Sequence, residues 1–526
     1  MPKVGYWTTL RHNGVAFTPP YQPKGLRLGF RGEKYGLSPL AEEMAYSWAK
    51  KKDTPYVNDS TYAENFCKDL LKQLPMELKG ASVKDFDFRE FNDLVDSEKR
   101  EKEQLTKEAK KALAAQRKKA KEVLKERHGY AWIDGAKVEI QNWVVEPPGI
   151  FQGRGNHPMR GRWKPRVEEQ DVTLNLDVDA PVPLGRWGRI VHDTSSMWLA
   201  SWADGLSGKL KYVWPHESSF LAQEKNKSKY DKALKLDQSL GRIRKKIELG
   251  MAKGDQQARK TATVCYLIDR LCMRVGDEKD EDEADTVGAT TLRVEHVVLK
   301  EKEICFDFLG KDSVRWLKVL ENVEPRVMNN FREFMRGKGP DQLIFDGVTS
   351  SKVNSYLGSI VPGLTAKVFR TYHATSVVRD YLSSVEDEVS KEETELGLYF
   401  ARMANLKAAI LCNHKRTPPK TWDDSLKRKE ERFKALKAIQ PKSAKQADAY
   451  RKRLRKAELS LEIAKMTRDY NLNTSLKNYI DPRVYKAWAG HLGFDWQTLY
   501  PKTMQKKFGW ANRSKLDWMT VSVAHR

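Results

Sequence analysis

Cysteine is scarce in this chain. Cys67, Cys265, Cys272, Cys305 and Cys412 are odd in number and contain no C-x-x-C pair, so neither a disulfide framework nor a zinc site has a basis, and the five thiols read as reduced, buried and structural. No G-x-x-x-x-G-K-[ST] loop, no H-E-x-x-H string and no His or Cys cluster at metal-ligand spacing occurs. Nucleotide hydrolysis and zinc catalysis thereby lose their simplest supports. No apolar run approaches the roughly 20 residues of a membrane span, and no lipidation signal is present, so a membrane partner is not expected. The amino terminus, MPKVGYWTTLRHNG, has no apolar h-region, which excludes a secretory signal there and predicts a cytosolic or nucleoid location.

Positive charge is what the chain has in excess. Against 71 Asp plus Glu stand 95 Lys plus Arg, a net charge of +24 in 526 residues. Such a balance favours a polyanionic partner, nucleic acid before an anionic membrane surface. The length calls for two to four domains, and 15 Trp, 19 Tyr and 18 Phe provide large side chains for their cores.

Punctuation by Pro, Gly and aromatics over 1–95 predicts an irregular lobe of mixed α and β structure. Strong helix formers without Gly or Pro over 97–128 predict one long exposed helix, and aromatic and β-branched residues over 130–218 predict short strands and loops. Helical periodicity resumes over 222–416, interrupted by a strand-like stretch at 291–308. Over 422–466, Trp422, Leu426, Phe433 and Leu436 recur at heptad spacing, Pro441 and Ser443 break the pattern, and Ala447, Tyr450, Leu454, Ala457, Leu461 and Ala464 resume it. That describes two helices folded back on each other with charged outer faces. In the last segment Asp481 is placed to cap a helix with Pro482 in its first turn, ending near Gly490 or Gly493. Tyr479 then sits at the mouth of that helix rather than in its packed face.

Any single Lys or Arg is by default solvated surface. Taken alone, Arg274 and Arg370 read as surface or salt-bridge residues, His414 as a satisfied core histidine, and Tyr479 as a half-buried aromatic. Longer strings change this. FLGKDS at 308–313, LTAKVFRTY at 364–372, LCNHKR at 411–416 and LKNYIDPR at 476–483 resemble, in order, the active-site motifs of eukaryotic-type DNA topoisomerase IB. GVAFTPPY at 14–21, GRGNHP at 153–158, DTVGATTLRVEH at 285–296 and TPPKTW at 417–422 extend the resemblance over nearly the whole chain.

The resemblance implies five catalytic residues: Arg274 in LCMRVGDEK, Lys311, Arg370, His414 and the nucleophile Tyr479. In-line attack on phosphorus builds charge on two non-bridging oxygens, which fixed, permanently charged guanidinium groups and a histidine hydrogen bond would stabilise. Lys311 is then the general acid for the 5′-oxygen leaving group. No side chain stands out as base for Tyr479, so water or the cationic field itself is expected to serve. The resemblance also implies duplex DNA as partner, a monomer, relaxation of both supercoil signs through a 3′-phosphotyrosine, and no need for ATP or an obligatory metal. Arg154, Asp312 and Asn478 match DNA-contacting positions that line the slot for camptothecin-type inhibitors, and GRGNHP with a region near 282–284 resembles the two lips of a clamp.

The fold class that follows is a multidomain α+β protein, a DNA clamp of two lobes with a mainly helical, tyrosine recombinase-like catalytic core. Its parts are 1–20 with 108–218 as a mixed, β-rich portion, 21–107 as a cap lobe, 219–416 as catalytic core, 417–470 as an antiparallel hairpin linker and 471–526 as the segment with the nucleophile. The chain begins almost at the core motifs, without the long charged region of eukaryotic members, so a prokaryotic, archaeal cytoplasm or nucleoid is expected, with the nucleus as alternative. The hairpin is shorter than in familiar eukaryotic members. The nearest rival is a tyrosine recombinase, whose usual H-x-x-R string stands here as Lys367-Val368-Phe369-Arg370; a non-catalytic DNA-binding protein is the other.

Overall fold

The computed structural model describes residues 5–277, 284–389, 394–441 and 443–518. Its contacts separate into two compact units, the first made of the residues up to Ala222 with Ala284 and Asp285, the second of the other described residues from Gln223 on. Both α and β structure occur in each.

In the first unit seven strands share one sheet, in the spatial order Leu10–His12, Tyr130–Ile133, Ala136–Gln141, Leu210–Pro215, Ala200–Ala203, Thr173–Asn175 and Arg189–Val191. Asp134 and Gly135, at φ of 48° and 78°, make the tight turn that joins the second strand to the third, the residue pair such a turn favours. Alternation sets the register. Leu10 faces Ile133 across the first pair, and Ala131, Ile133, Val138 and Ile140 turn inward onto Trp143, Leu174 and Trp202.

Between the first two of these strands the chain passes through a lobe of three helices, Pro39–Ala49, Ser60–Leu71 and Arg89–Gln104, and a small sheet of Glu33–Gly36, Arg27–Phe30 and Phe86–Asp87. Ser38 and Asp59 cap the first two helices through their side chains. Trp48, stacked on Phe66 with ring centroids 4.5 Å apart, centres its core. The single helix expected over 97–128 is in fact two. Leu105 adopts φ −56°, ψ 132°, and Thr106 starts a new helix, Lys107–His128, by accepting from the Ala109 amide. Propensity alone runs through this point. A threonine N-cap contributes about 1 kcal/mol and satisfies a donor that a continuous helix would have paired anyway, so it becomes decisive only where the chain must turn. The second helix buries none of its side chains.

The second unit is built on helices, with one antiparallel sheet of Val297–Leu299, Ile304–Gly310 and Val314–Leu320. One apolar cluster joins that sheet, through Phe306, Phe308 and Trp316, to the helices Gln256–Leu271, Pro325–Met335 and Ser350–Ile360 and the start of Ala366–Ser384. A second cluster packs the far part of Ala366–Ser384 and the helix Thr394–Leu411 against Ile480, Tyr485, Trp488 and Phe508. The carboxy-terminal segment is therefore held in part by the helix Ala366–Ser384, which also reaches the first cluster. Helices Trp422–Lys437 and Ala444–Met466 lie against each other. Leu436 and Leu459 are buried, Lys465 pairs with Glu430 at 2.9 Å, and Lys429 donates to Ser460. Ser443 caps the second helix. Four cysteines are buried, all five are free, and Cys305 is half-buried on the sheet.

Candidate active site

Arg274 follows the helix Gln256–Leu271, which stops because Cys272 takes a left-handed conformation, φ 52°. The strand of backbone leaving that helix is fixed by the segment DTVGATT. Ala289 and Thr290 amides donate to Arg274 O at 2.8 Å and Val275 O at 2.7 Å. Gly276 and Gly288 approach so closely that a Cβ on Gly288 would meet Gly276 Cα at 2.5 Å. Both positions need glycine, and they hold Arg274 in place.

Arg370 lies on the helix Ala366–Ser384 and is 4% exposed. Its guanidinium donates through Nη1 to Cys272 O and through Nη2 to Cys412 O at 2.9 Å. It thus joins the ends of the helices Gln256–Leu271 and Thr394–Leu411. His414 lies just beyond the second of these, after Asn413 has reversed the chain at φ 54°. Its backbone is held by an amide bond to Ala409 O and by acceptance from the Asn471 amide.

Tyr479 follows the short helix Leu472–Asn478 and precedes Pro482–Leu492, whose N-cap is Asp481 and whose C-cap is Gly493 at φ 75°. The expectation of a tyrosine outside the packed face needs correction. Tyr479 is 6% exposed and belongs to the second core cluster, because its ring turns inward against charged neighbours. Its hydroxyl accepts from Arg274 Nη1 at 3.1 Å, Arg370 lies 5.1 Å from the ring centroid, and the His414 ring is 5.2 Å away. Thr375, also on the Arg370 helix, donates to Tyr479 O at 3.2 Å and accepts from the Asp481 amide at 3.1 Å. Lys229 donates to Asn478 O at 2.9 Å. Arg483 closes on Asp481 and reaches Asp231 at 2.7 Å.

Lys311 opens the turn between two sheet strands, where Asp312 and Ser313 both take positive φ, 65° and 56°. It is exposed and shares with Arg274, Arg370, Cys412 and Asn413 the lining of a cavity of about 40 Å3. Arg274, Arg370 and His414 are thus each brought to Tyr479, and Lys311 reaches the cavity beside them. Asn478 is exposed next to Tyr479 and Asp312 next to Lys311. Arg154 is exposed in the first unit, in a loop pinned at its base by Arg160 on Asp59 at 2.8 Å and by Asn65 on Pro158 O. Of the second lip, Asp282 and Glu283 lie outside the described residues.

The electrostatics follow from the packing. Burial pushes the Tyr479 phenol upward, but the charges of Arg370 and Arg274, with their hydrogen bonds, outweigh it and leave the pKa below its ordinary value. Burial, reinforced by the same two arginines, lowers His414 to about 3, so its ring is neutral near neutral pH. Two buried nitrogens, Arg370 Nε and His414 Nδ1, have no partner among the described residues. A buried N–H without a partner is costly; at the edge of a cationic cluster it suits an anionic oxygen.

Residues 5–215 match the family described as the DNA binding fragment of eukaryotic DNA topoisomerase I, residues 218–447 its catalytic core, and residues 451–520 a C-terminal topoisomerase domain. DNA topoisomerase 1 of Homo sapiens is 34% identical over 96% of this chain and 70% of its own length. The chain belongs to the eukaryotic DNA topoisomerase I family. DNA topoisomerase 1 alpha of Arabidopsis thaliana and DNA topoisomerase 1 of Drosophila melanogaster are each 36% identical over 96% of this chain. The chain spans 58% and 54% of their lengths. Arg274, Lys311, Arg370 and His414 fall in the catalytic-core match of this topoisomerase family, Tyr479 in the C-terminal match and Arg154 in the DNA-binding match. These relatives are eukaryotic, so the archaeal source expected from the early start of the motifs gains no support from them. Thr375 and the carbonyls of Cys272 and Cys412 were not singled out in the sequence. A backbone acceptor leaves no mark in sequence, and one threonine on a helix has no signal of its own.

Proposed function

We propose that this chain is a type IB DNA topoisomerase that cuts one strand of duplex DNA with Tyr479 and reseals it. The observation that carries this is the Tyr479 hydroxyl at 3.1 Å from Arg274 Nη1, enclosed by Arg370 and a neutral His414. The phenol oxygen attacks a backbone phosphorus and loses its proton to water, its ionisation favoured by the two guanidinium charges. Arg274 and Arg370 neutralise the non-bridging oxygens of the transition state, and His414 adds a hydrogen bond. The bond from phosphorus to the 5′-oxygen breaks as Lys311 supplies that oxygen with a proton. The resulting 3′-phosphotyrosine keeps the phosphodiester energy for the reverse step, so no ATP is consumed.

Protein side chains carry the positive charge the phosphate needs, so relaxation is expected to proceed without a metal. The intact strand allows the downstream duplex to turn, and supercoils of both signs relax. The core around these residues is assigned a tyrosine recombinase-like arrangement, and the chain a monomeric state on duplex DNA. Arg154, Asp312 and Asn478 are assigned to DNA and to camptothecin-type inhibitors, which should prolong the covalent complex; unchanged religation at saturating drug would sink that assignment. A nuclear location agrees with the eukaryotic relatives.

The test is relaxation of negatively and positively supercoiled plasmid in EDTA without ATP by the native chain and by Tyr479→Phe. Relaxation of both substrates by the native chain alone is expected, with DNA binding retained in the variant. No relaxation by either protein refutes the assignment.

A further inference from the structure

Lys318 lies on the strand Val314–Leu320, whose preceding turn carries Lys311. Its side chain is directed inward, beneath the cluster described above. Nζ donates to Leu411 O at 2.8 Å and to Leu271 O at 3.3 Å, and sits 5.3 Å from the Trp316 ring centroid. Leu271 and Leu411 are the last residues of the helices Gln256–Leu271 and Thr394–Leu411. Terminal carbonyls of a helix lack intrahelical partners and carry its negative end, so an ammonium between two of them is stabilised twice. The next carbonyl on each chain, Cys272 O and Cys412 O, is taken by Arg370. Two cations thus cross-link two converging helix ends through four carbonyls, and three residues beyond one end comes Arg274, three beyond the other His414.

The two cations differ in what they bring to this junction. Arg370 belongs to the phosphate site itself, whereas Lys318 brings in the sheet. Asn413 adds a second tie between the same parts by donating to Arg315 O at 3.1 Å. The turn before this strand is short, closed by the Gly310–Val314 pair, with Asp312 and Ser313 both at positive φ. Its placement therefore follows that of the strand, and Lys311 follows the turn.

We propose that Lys318 is a positioning residue for Lys311: by tying the strand Val314–Leu320 to the helix ends that lead to Arg274 and His414, it sets the reach of the acid toward the phosphate those residues hold. This rests on Lys311 being the acid for the 5′-oxygen. Proton transfer needs the donor within hydrogen-bond reach of the leaving oxygen, and a displacement of about 1 Å costs up to about a hundredfold in rate.

A leaving group that needs no proton separates this from a general loss of structure. Single-turnover cleavage is measured on a duplex oligonucleotide carrying a site first mapped on plasmid DNA, with either the natural 5′-oxygen or a bridging 5′-sulfur at the scissile link. A thiolate leaves unaided near neutral pH far more readily than an alkoxide. The proteins are the native full chain, Lys318→Met, Lys318→Gln and Lys311→Ala. Lys318→Met is expected to cleave the oxygen substrate about tenfold to a hundredfold more slowly and the sulfur substrate within about threefold of the native rate. Lys318→Gln, which keeps a neutral donor, should show the same selectivity with a smaller loss and serves if the methionine variant does not fold. Equal loss on both substrates, or no loss on oxygen, overturns the inference. If Lys311→Ala loses oxygen cleavage selectively while the Lys318 variants do not, the positioning role alone fails. If Lys311→Ala is not selective, the acid assignment fails and the positioning role with it.

Discussion

Replacing Arg274 by alanine removes a side chain that donates to the Tyr479 hydroxyl, at 3.1 Å, and half of the guanidinium charge around it. At an effective dielectric of about 20, a unit charge about 4 Å away interacts by roughly 4 kcal/mol. Arg274 is half-buried, so solvent screens part of this. Loss of one preformed donor to a developing oxyanion costs about 3 kcal/mol, or about a hundredfold in rate. Both figures place the cleavage defect near two orders of magnitude, with little change in stability, since the residue is not part of an apolar cluster. The pH dependence should move as well. Attack requires the phenolate, and Arg274 helps hold the phenol pKa below its ordinary value; without it the pKa rises, and the rate keeps climbing with pH beyond the point where the native chain levels off. Single-turnover cleavage of a duplex oligonucleotide across neutral to alkaline pH reads both effects. A loss of less than about threefold, or a large loss with an unmoved profile, would refute the role given to the guanidinium.

Arg370→Lys keeps the charge but cannot span Cys272 O and Cys412 O; leaving one carbonyl unpaired should cost about 1–3 kcal/mol of stability, and cleavage should fall about a hundredfold, as thermal melts and single-turnover rates would register. His414 is lowered to about 3 in the folded chain against 6.5 unfolded, so its contribution to stability is complete above about pH 6.5 and is lost as pH falls toward 3, where only the unfolded chain takes up the proton. His414→Gln should therefore flatten the loss of Tm over that window, though not abolish it, because buried His12, lowered to about 4, titrates with the same sign; an unchanged acid slope would contradict this. Thr375→Val leaves the Asp481 amide without its acceptor and Tyr479 O without its donor; about a tenfold slower cleavage is expected, recovered by Thr375→Ser, and equal defects in both variants would speak against positioning through the hydroxyl.

Local signals were readable where a side chain acts on its own neighbours. Asp481, Pro482 and Gly493 delimit a helix because capping, a preset φ and a left-handed terminus are decided within a few residues. Heptad spacing on either side of Pro441 and Ser443 foretold two helices in contact for the same reason. The break at Leu105 and Thr106 has no local sequence mark, because threonine is an ordinary residue inside a helix and becomes a cap only when the preceding backbone turns away. A residue just before a helix start carries no sequence sign of burial, yet Tyr479 is buried. Nothing nearby in sequence announces that Arg274, Arg370 and His414 enclose it.

Charge, the absence of metal-ligand spacing and the ordered active-site strings are properties of the residues themselves, and by them the sequence alone determined the family and the identity of the five candidate side chains. Only the tertiary structure decided their electrostatics and their support. The phenol is lowered although burial opposes it, because two guanidinium groups distant in sequence meet it, and the histidine is neutral because the same burial and charges act on it. Arg370 and Lys318 are oriented by the carbonyls of Leu271, Cys272, Leu411 and Cys412. Every residue has a carbonyl, so which ones become acceptors depends on where two helices happen to end, and that is settled only when the chain is packed.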